Sequence, residues 1–133
     1  MTVMPEIKGF ESDLKVIFED LHAHPEIGFE ETRTAAIVAE KLKEYGVDEV
    51  HSGIGGTGVV GLIRGRQTGN RCIGLRADMD ALPIEEVTAL PYASTNPGTM
   101  HACVFGKNSL NSPYSWAANV LLWAITIVGR CKA

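Results

Sequence analysis

Cys72-Ile73-Gly74-Leu75-Arg76-Ala77-Asp78-Met79-Asp80 is a short, largely apolar run that ends in two carboxylates. Preceded by a turn with Gly65, Gly69 and Asn70, its first six residues read as a buried strand. Val59-Val60-Gly61-Leu62-Ile63 reads the same way, and Val47 to Val50 as a shorter strand. Further upstream, Phe10, Leu14, Ile17, Phe18 and Leu21 recur at helical spacing, with Glu11, Asp13, Glu19 and Asp20 on the other face and Pro25 closing the element. A second helix follows, capped by Thr32 or Thr34, with Ala35, Val38, Ala39, Leu42 and Tyr45 inward and Gly46 as its left-handed terminator. Gly53 to Gly58 is a turn between strands. Helices followed by buried strands predict a layered α/β domain.

In such sheets, ligands gather beyond the carboxyl ends of strands. Asp78 and Asp80 stand there, two residues apart, and extended geometry would turn both the same way. The bland alternative is that they cap turns around Pro83. Downstream, His101 and Cys103 again lie on one side of an extended segment. Carboxylate, imidazole and thiolate together suit zinc, or manganese where oxygen ligands dominate. Cys72, within its apolar strand, reads as core. His22 and His24 flank a helix end and fit the helix dipole or a turn better than ligation. Glu30-Glu31 reads as an acidic pair at a helix N-terminus, and Glu85-Glu86 as part of a solvated loop, with a contribution to a cleft as the alternative. The glycine run 53–58 lacks the lysine and the following helix of a phosphate cradle.

Composition limits the function classes. A chain of 133 residues is one domain or part of one, and its net charge of −4 gives no reason to expect nucleic acid. The apolar stretch Trp116 to Val128 contains Asn119 and Thr126 and is too short for a comfortable membrane span. Cys72, Cys103 and Cys131 form no disulfide framework, and no basic-then-apolar leader opens the chain, so a cytoplasmic setting is expected. Residues 1–103 hold 9 Lys/Arg and all 16 Asp/Glu, whereas residues 104–133 hold 3 basic residues and no acid. That shift marks a boundary near Cys103.

Three stretches together carry a resemblance. His24-Pro25-Glu26-Ile27-Gly28-Phe29-Glu30-Glu31, Gly74 to Glu86 (Gly-Leu-Arg-Ala-Asp-Met-Asp-Ala-Leu-Pro-Ile-Glu-Glu) and Asn96 to Cys103 resemble, in order, three signatures of the metal-dependent amidohydrolases that include hippurate hydrolase and the plant auxin-conjugate hydrolases. These form a branch of the aminoacylase/carboxypeptidase metallopeptidases. The resemblance covers about residues 10–103. It implies the N-terminal part of a zinc-peptidase-like catalytic domain, with helices packed on a mostly parallel or mixed sheet. It also implies two divalent metals, zinc or manganese, and hydrolysis of N-acyl amino acids as small-molecule substrates by a glutamate base. An inserted domain that often dimerises makes a homo-oligomer an expectation for the family. Cys103 matches the family's metal-binding cysteine, Asp78 and Asp80 match strand-end carboxylates, Asp78 is a candidate metal ligand, and Asp80 stands at the place of an acid that supports the site. Past Cys103 the family continues Gly-His-Asp-Gly-His, where this chain has Val104 and Phe105. Phenylalanine ligates no metal, so residues 104–133 read as a divergent tail, such as a shifted reading frame would produce. The chain alone is then expected to be a truncated, inactive remnant or a non-catalytic, associating fragment.

Overall fold

The computed structural model describes residues 9–66 and 72–102 with their side chains, and the backbone of Ile125–Val128. Its elements are helices α1 (Glu11–Ala23) and α2 (Thr32–Glu44) and strands β1 (Glu49–Ile54), β2 (Gly58–Arg64), β3 (Cys72–Gly74) and β4 (Ile125–Val128). The chain divides into two compact units, one of residues 1–28 with 80–118, the other of residues 29–79 with 119–133. The α/β class expected from the sequence is the one observed.

In the second unit the four strands form one mixed sheet in the order β1-β2-β4-β3. The pair β2/β4 is parallel, and β1/β2 and β3/β4 are antiparallel. Helix α2 packs on β1 and β2. Its inward residues are Thr34, Val38, Ala39 and Leu42, close to the predicted stripe; Tyr45 is instead 41% exposed because it already stands past the last helical turn. The helix ends as predicted at Gly46, with φ +77°. The Gly46 N–H donates to the Lys43 carbonyl and the Val47 N–H to the Leu42 carbonyl. This double closure satisfies two carbonyls that the helix leaves without partners. The cap at the other end is not a threonine: Glu31 takes that position, and Thr34 lies inside the helix, 1% exposed.

The glycine run is the tip of the β1/β2 hairpin. Gly55, Gly56 and Thr57 join paired residues Ile54 and Gly58, and the register shifts between Ser52 and Ile54 at Gly53, which has φ +80°. A left-handed glycine at such a shift is a bulge that increases the twist of the ribbon. Gly58 is required for a second reason, since a Cβ there would run into the Ile54 carbonyl oxygen.

Strand β3 departs from expectation. It stops at Gly74 rather than reaching Ala77, and all three of its residues are exposed. Its partner is β4, with Gly74 opposite Thr126, and β3 is the last strand of the sheet. Cys72 is therefore exposed and not a core residue. The apolar run was long enough for a central strand, but only its neighbours could decide that it lies at an edge.

In the first unit, α1 buries Ile17, Leu21 and His22. Leu21 is fully buried, whereas Phe10, at the N-cap, is 49% exposed and stands outside the predicted apolar face. Among the described residues no helix is long and apolar enough to cross a membrane.

Candidate functional site

The three signature stretches meet in the first unit. The Ala81 N–H donates to the Glu26 carbonyl at 2.8 Å, and Ile27 and Ala81 form a parallel bridge. Leu82 and Met100 exchange two backbone hydrogen bonds, 2.9 and 3.0 Å. Asn96 donates its side-chain amide to the Pro25 carbonyl at 2.8 Å, and the Thr95 N–H and hydroxyl both donate to the Ala23 carbonyl. Residues far apart in sequence are thus joined through hydrogen bonds to backbone groups. Pro25, fully buried, closes the end of α1 and turns the chain into this junction.

At the junction Asp80 is half-buried beside Gly28. A side chain at Gly28 would bring its Cβ 3.6 Å from the Asp80 carboxylate oxygen, so the glycine leaves room next to the acid. His101 is 7% exposed and its ring accepts the influence of three neighbours. Burial, and then the proximity of His22, push its pKa down to about 4; a hydrogen bond with the Asp80 backbone and the charges of Asp80 and Glu26 pull the other way and lose. His101 is accordingly neutral at physiological pH.

His22 is held by Glu86. Nε2 of His22 lies 3.1 Å from the Glu86 carboxylate, with both side chains under a tenth exposed. Phe18 stacks on the His22 ring and Tyr92 meets it edge-on, each at 5.7 Å between centroids, and the His101 ring lies 6.4 Å away. Burial drives the Glu86 carboxyl upward, but the Ser94 N–H at 2.6 Å, the Thr88 hydroxyl and the His22 ring outweigh it and hold it below the usual carboxylate value.

These positions correct two readings of the sequence. Glu86 is no solvated loop residue: its carboxylate is buried among three donors, while its neighbour Glu85 is exposed. His22 sits in the last turn of α1, as expected, but its ring is committed to a buried carboxylate rather than only to the helix end. Nothing in the local pattern distinguishes Glu86 from Glu85; the contact spans 64 positions.

Asp78 and Asp80 are half-buried and alternate with buried Ala77, Met79 and Ala81. The extended alternation expected of them is present, although regular strand pairing has ended at Gly74. Asp78 pairs with Arg76, Nη2 to Oδ1 at 2.9 Å. Cys103, the expected thiolate ligand, lies outside the described residues, as do the tail residues Val104 and Phe105. Among the described residues no three His, Cys, Asp or Glu side chains come together to hold a metal ion. The described part of the chain therefore does not by itself assemble the donor set of a metal centre.

No family model matches the chain. Comparison with characterised proteins is more telling. Hippurate hydrolase of Campylobacter jejuni is 48% identical over 103 residues, 77% of this chain and 26% of that protein. The N-acyl-L-amino acid amidohydrolase of Geobacillus stearothermophilus is 49% identical over 83 residues, 62% of this chain and 22% of that protein. Among solved structures, a dinuclear metal binding peptidase of the M20 family from Bacillus subtilis superposes with a TM-score of 0.65 at 44% identity, covering 72% of this chain and 26% of that one. The chain spans about a quarter of the length of the relatives it matches. In sequence and in backbone, then, the chain is similar to about a quarter of hippurate hydrolase and of an M20-family peptidase.

Proposed function

We propose that this chain is part of a hydrolase that cleaves the amide bond of N-acyl amino acids with the help of divalent metal, zinc or manganese, and that the chain alone does not turn substrate over. One observation carries the reading: the three signatures, separated by up to about seventy residues, are hydrogen-bonded into a single junction around Asp80 and His101. Asp80 is the acid proposed to support the site, with Gly28 leaving space beside it. Cys103 is the proposed thiolate ligand, and Asp78 a weaker candidate. A divalent metal held there would supply polarisation of the amide carbonyl and activation of water. The described residues shape and hold the junction of the three signatures.

Purified chain incubated with benzoylglycine and zinc or manganese is expected to release no glycine above the metal-only rate. Robust, metal-dependent release would contradict the proposed inactivity. The metal reading has its own test. Zinc should raise the melting temperature by mass action through Cys103, and Cys103→Ser should weaken that shift. A zinc shift that is absent, or unchanged in Cys103→Ser, would remove Cys103 from the proposed site.

A further inference from the structure

Residues 83–99 form a loop whose ends meet, since Leu82 and Met100 exchange two backbone hydrogen bonds at its neck. Its inside is organised by a carboxylate. Glu86 accepts from the Ser94 N–H on the returning limb and from the Thr88 hydroxyl, and it pairs with His22 of α1. The same limb is fastened to the end of α1 by Thr95 on the Ala23 carbonyl and by Asn96 on the Pro25 carbonyl. A long loop that is closed at its neck and pinned from within is a built feature, and such loops usually carry a function. What it shows to solvent is the reverse of an ordinary surface. The Glu86 carboxylate is inward, while Ile84, Val87 and Leu90, evenly spaced along the loop, are 41%, 88% and 39% exposed. Between the last two, Ala89 is left-handed at φ +53°, a conformation that a residue bearing a Cβ keeps only where its surroundings hold it. A single exposed apolar side chain needs no explanation; three on one anchored loop mark a surface for another polypeptide.

We infer that the loop 83–99 is the docking surface for the part of an M20-type hydrolase that lies outside the matched quarter. The inference rests on the proposed function and deepens it by naming where the remainder of the enzyme attaches. Two observations choose this occupant. The chain spans 26% of hippurate hydrolase and 26% of the M20 peptidase. The share of surface that a fold buries rises with its size, so apolar side chains that face solvent on this piece have most of such an enzyme left to face. The second observation is charge. Glu85 is exposed beside Ile84, with its carboxylate next to Gly98. A symmetric contact between two copies of this chain through the loop would bring each Glu85 toward the other, and like charges disfavour that pairing. Because Glu86 already fixes the backbone, the loop is offered without a further ordering cost on docking.

The test co-expresses the whole chain with a tagged Campylobacter jejuni hippurate hydrolase that lacks the quarter the chain matches. It reads recovery of the two in one complex and then their dissociation constant. They are expected to purify together in equal amounts. Val87→Ala weakens the complex about tenfold, the scale of removing apolar side-chain atoms from a buried contact. Val87→Asp abolishes it, while the melting temperature of the chain alone stays unchanged, since the side chain is exposed there. Val16→Asp, a charge placed at an apolar residue of α1 that is 66% exposed, leaves the complex intact. The inference is overturned if the two do not purify together, a shortened enzyme that stays insoluble beside the chain included. It is equally overturned if Val87→Asp still binds, if Val16→Asp disrupts the complex as strongly, or if the chain instead forms a dimer of itself that Val87→Asp breaks. A melting temperature several degrees lower in Val87→Asp also overturns it, because the valine would then pack within the chain. The Cys103-dependent zinc shift is measured separately: docking without that shift removes only the ligand reading, and the shift without docking removes only this inference.

Discussion

Acid should unfold this chain through His101. The ring is 7% exposed, and burial followed by the nearness of His22 brings its pKa from 6.5 to about 4. In the unfolded chain the same imidazole titrates near its ordinary value. Between these two points the unfolded state binds a proton that the folded state refuses, so stability is fully present above about pH 6.5 and falls as the pH drops through 4. The gap of about 2.5 pH units, at about 1.4 kcal/mol per unit, corresponds to about 3 kcal/mol. That is a large share of the roughly 5–15 kcal/mol that holds a domain together. The measurement is urea unfolding of the wild type and of His101→Gln at about pH 7.5 and about pH 4, with midpoints and slopes fitted separately. Glutamine does not titrate and keeps a donor for the Asp80 backbone. The wild type should lose about 3 kcal/mol more than the variant over this range. Glu86, held below the usual carboxylate value, loses its own contribution on the acid side in both proteins, so it cancels in the comparison. Equal losses in the two proteins would refute the assignment of the acid sensitivity to His101.

Two further outcomes follow from contacts in the structure. Glu86→Ala leaves the His22 ring, the Ser94 N–H and the Thr88 hydroxyl without their acceptor and should cost about 3 kcal/mol in urea unfolding, while Glu86→Gln, which retains an acceptor oxygen, should cost clearly less; equal costs would mean that the carboxylate's place in the packing, not its hydrogen bonds, is what matters. Gly58→Ala drives a Cβ into the Ile54 carbonyl and should destabilise by about 2 kcal/mol or more, whereas Gly55→Ala, with φ +65° and open space around it, should cost only about 1 kcal/mol; a reversed order in thermal melts would show that the hairpin is closed differently.

Much of this molecule is determined locally and was therefore legible in its residues. The stripe Val38, Ala39 and Leu42 lies inward because a helix repeats every 3.6 residues, and Gly46 terminates that helix because it tolerates a positive φ. Val59 to Ile63 lies in a strand because a short, β-branched run has few other stable placements. The signatures around Pro25, Asp80 and Met100 were readable as words, each in its place, and so was the family they spell.

What those words do to one another was decided only in three dimensions. Glu85 and Glu86 are chemically identical neighbours, and only the arrival of His22 and Ser94 selects Glu86 for burial. Cys72 is apolar in its surroundings along the chain, yet exposed, because among the described residues β3 is the last strand of its sheet. His101 looks like any imidazole until burial and His22 strip it of its proton. Local sequence sets the conformations available to each segment, through sterics and periodicity; desolvation and charge pairing depend on which distant groups share the same space, and that is a property of the folded chain alone.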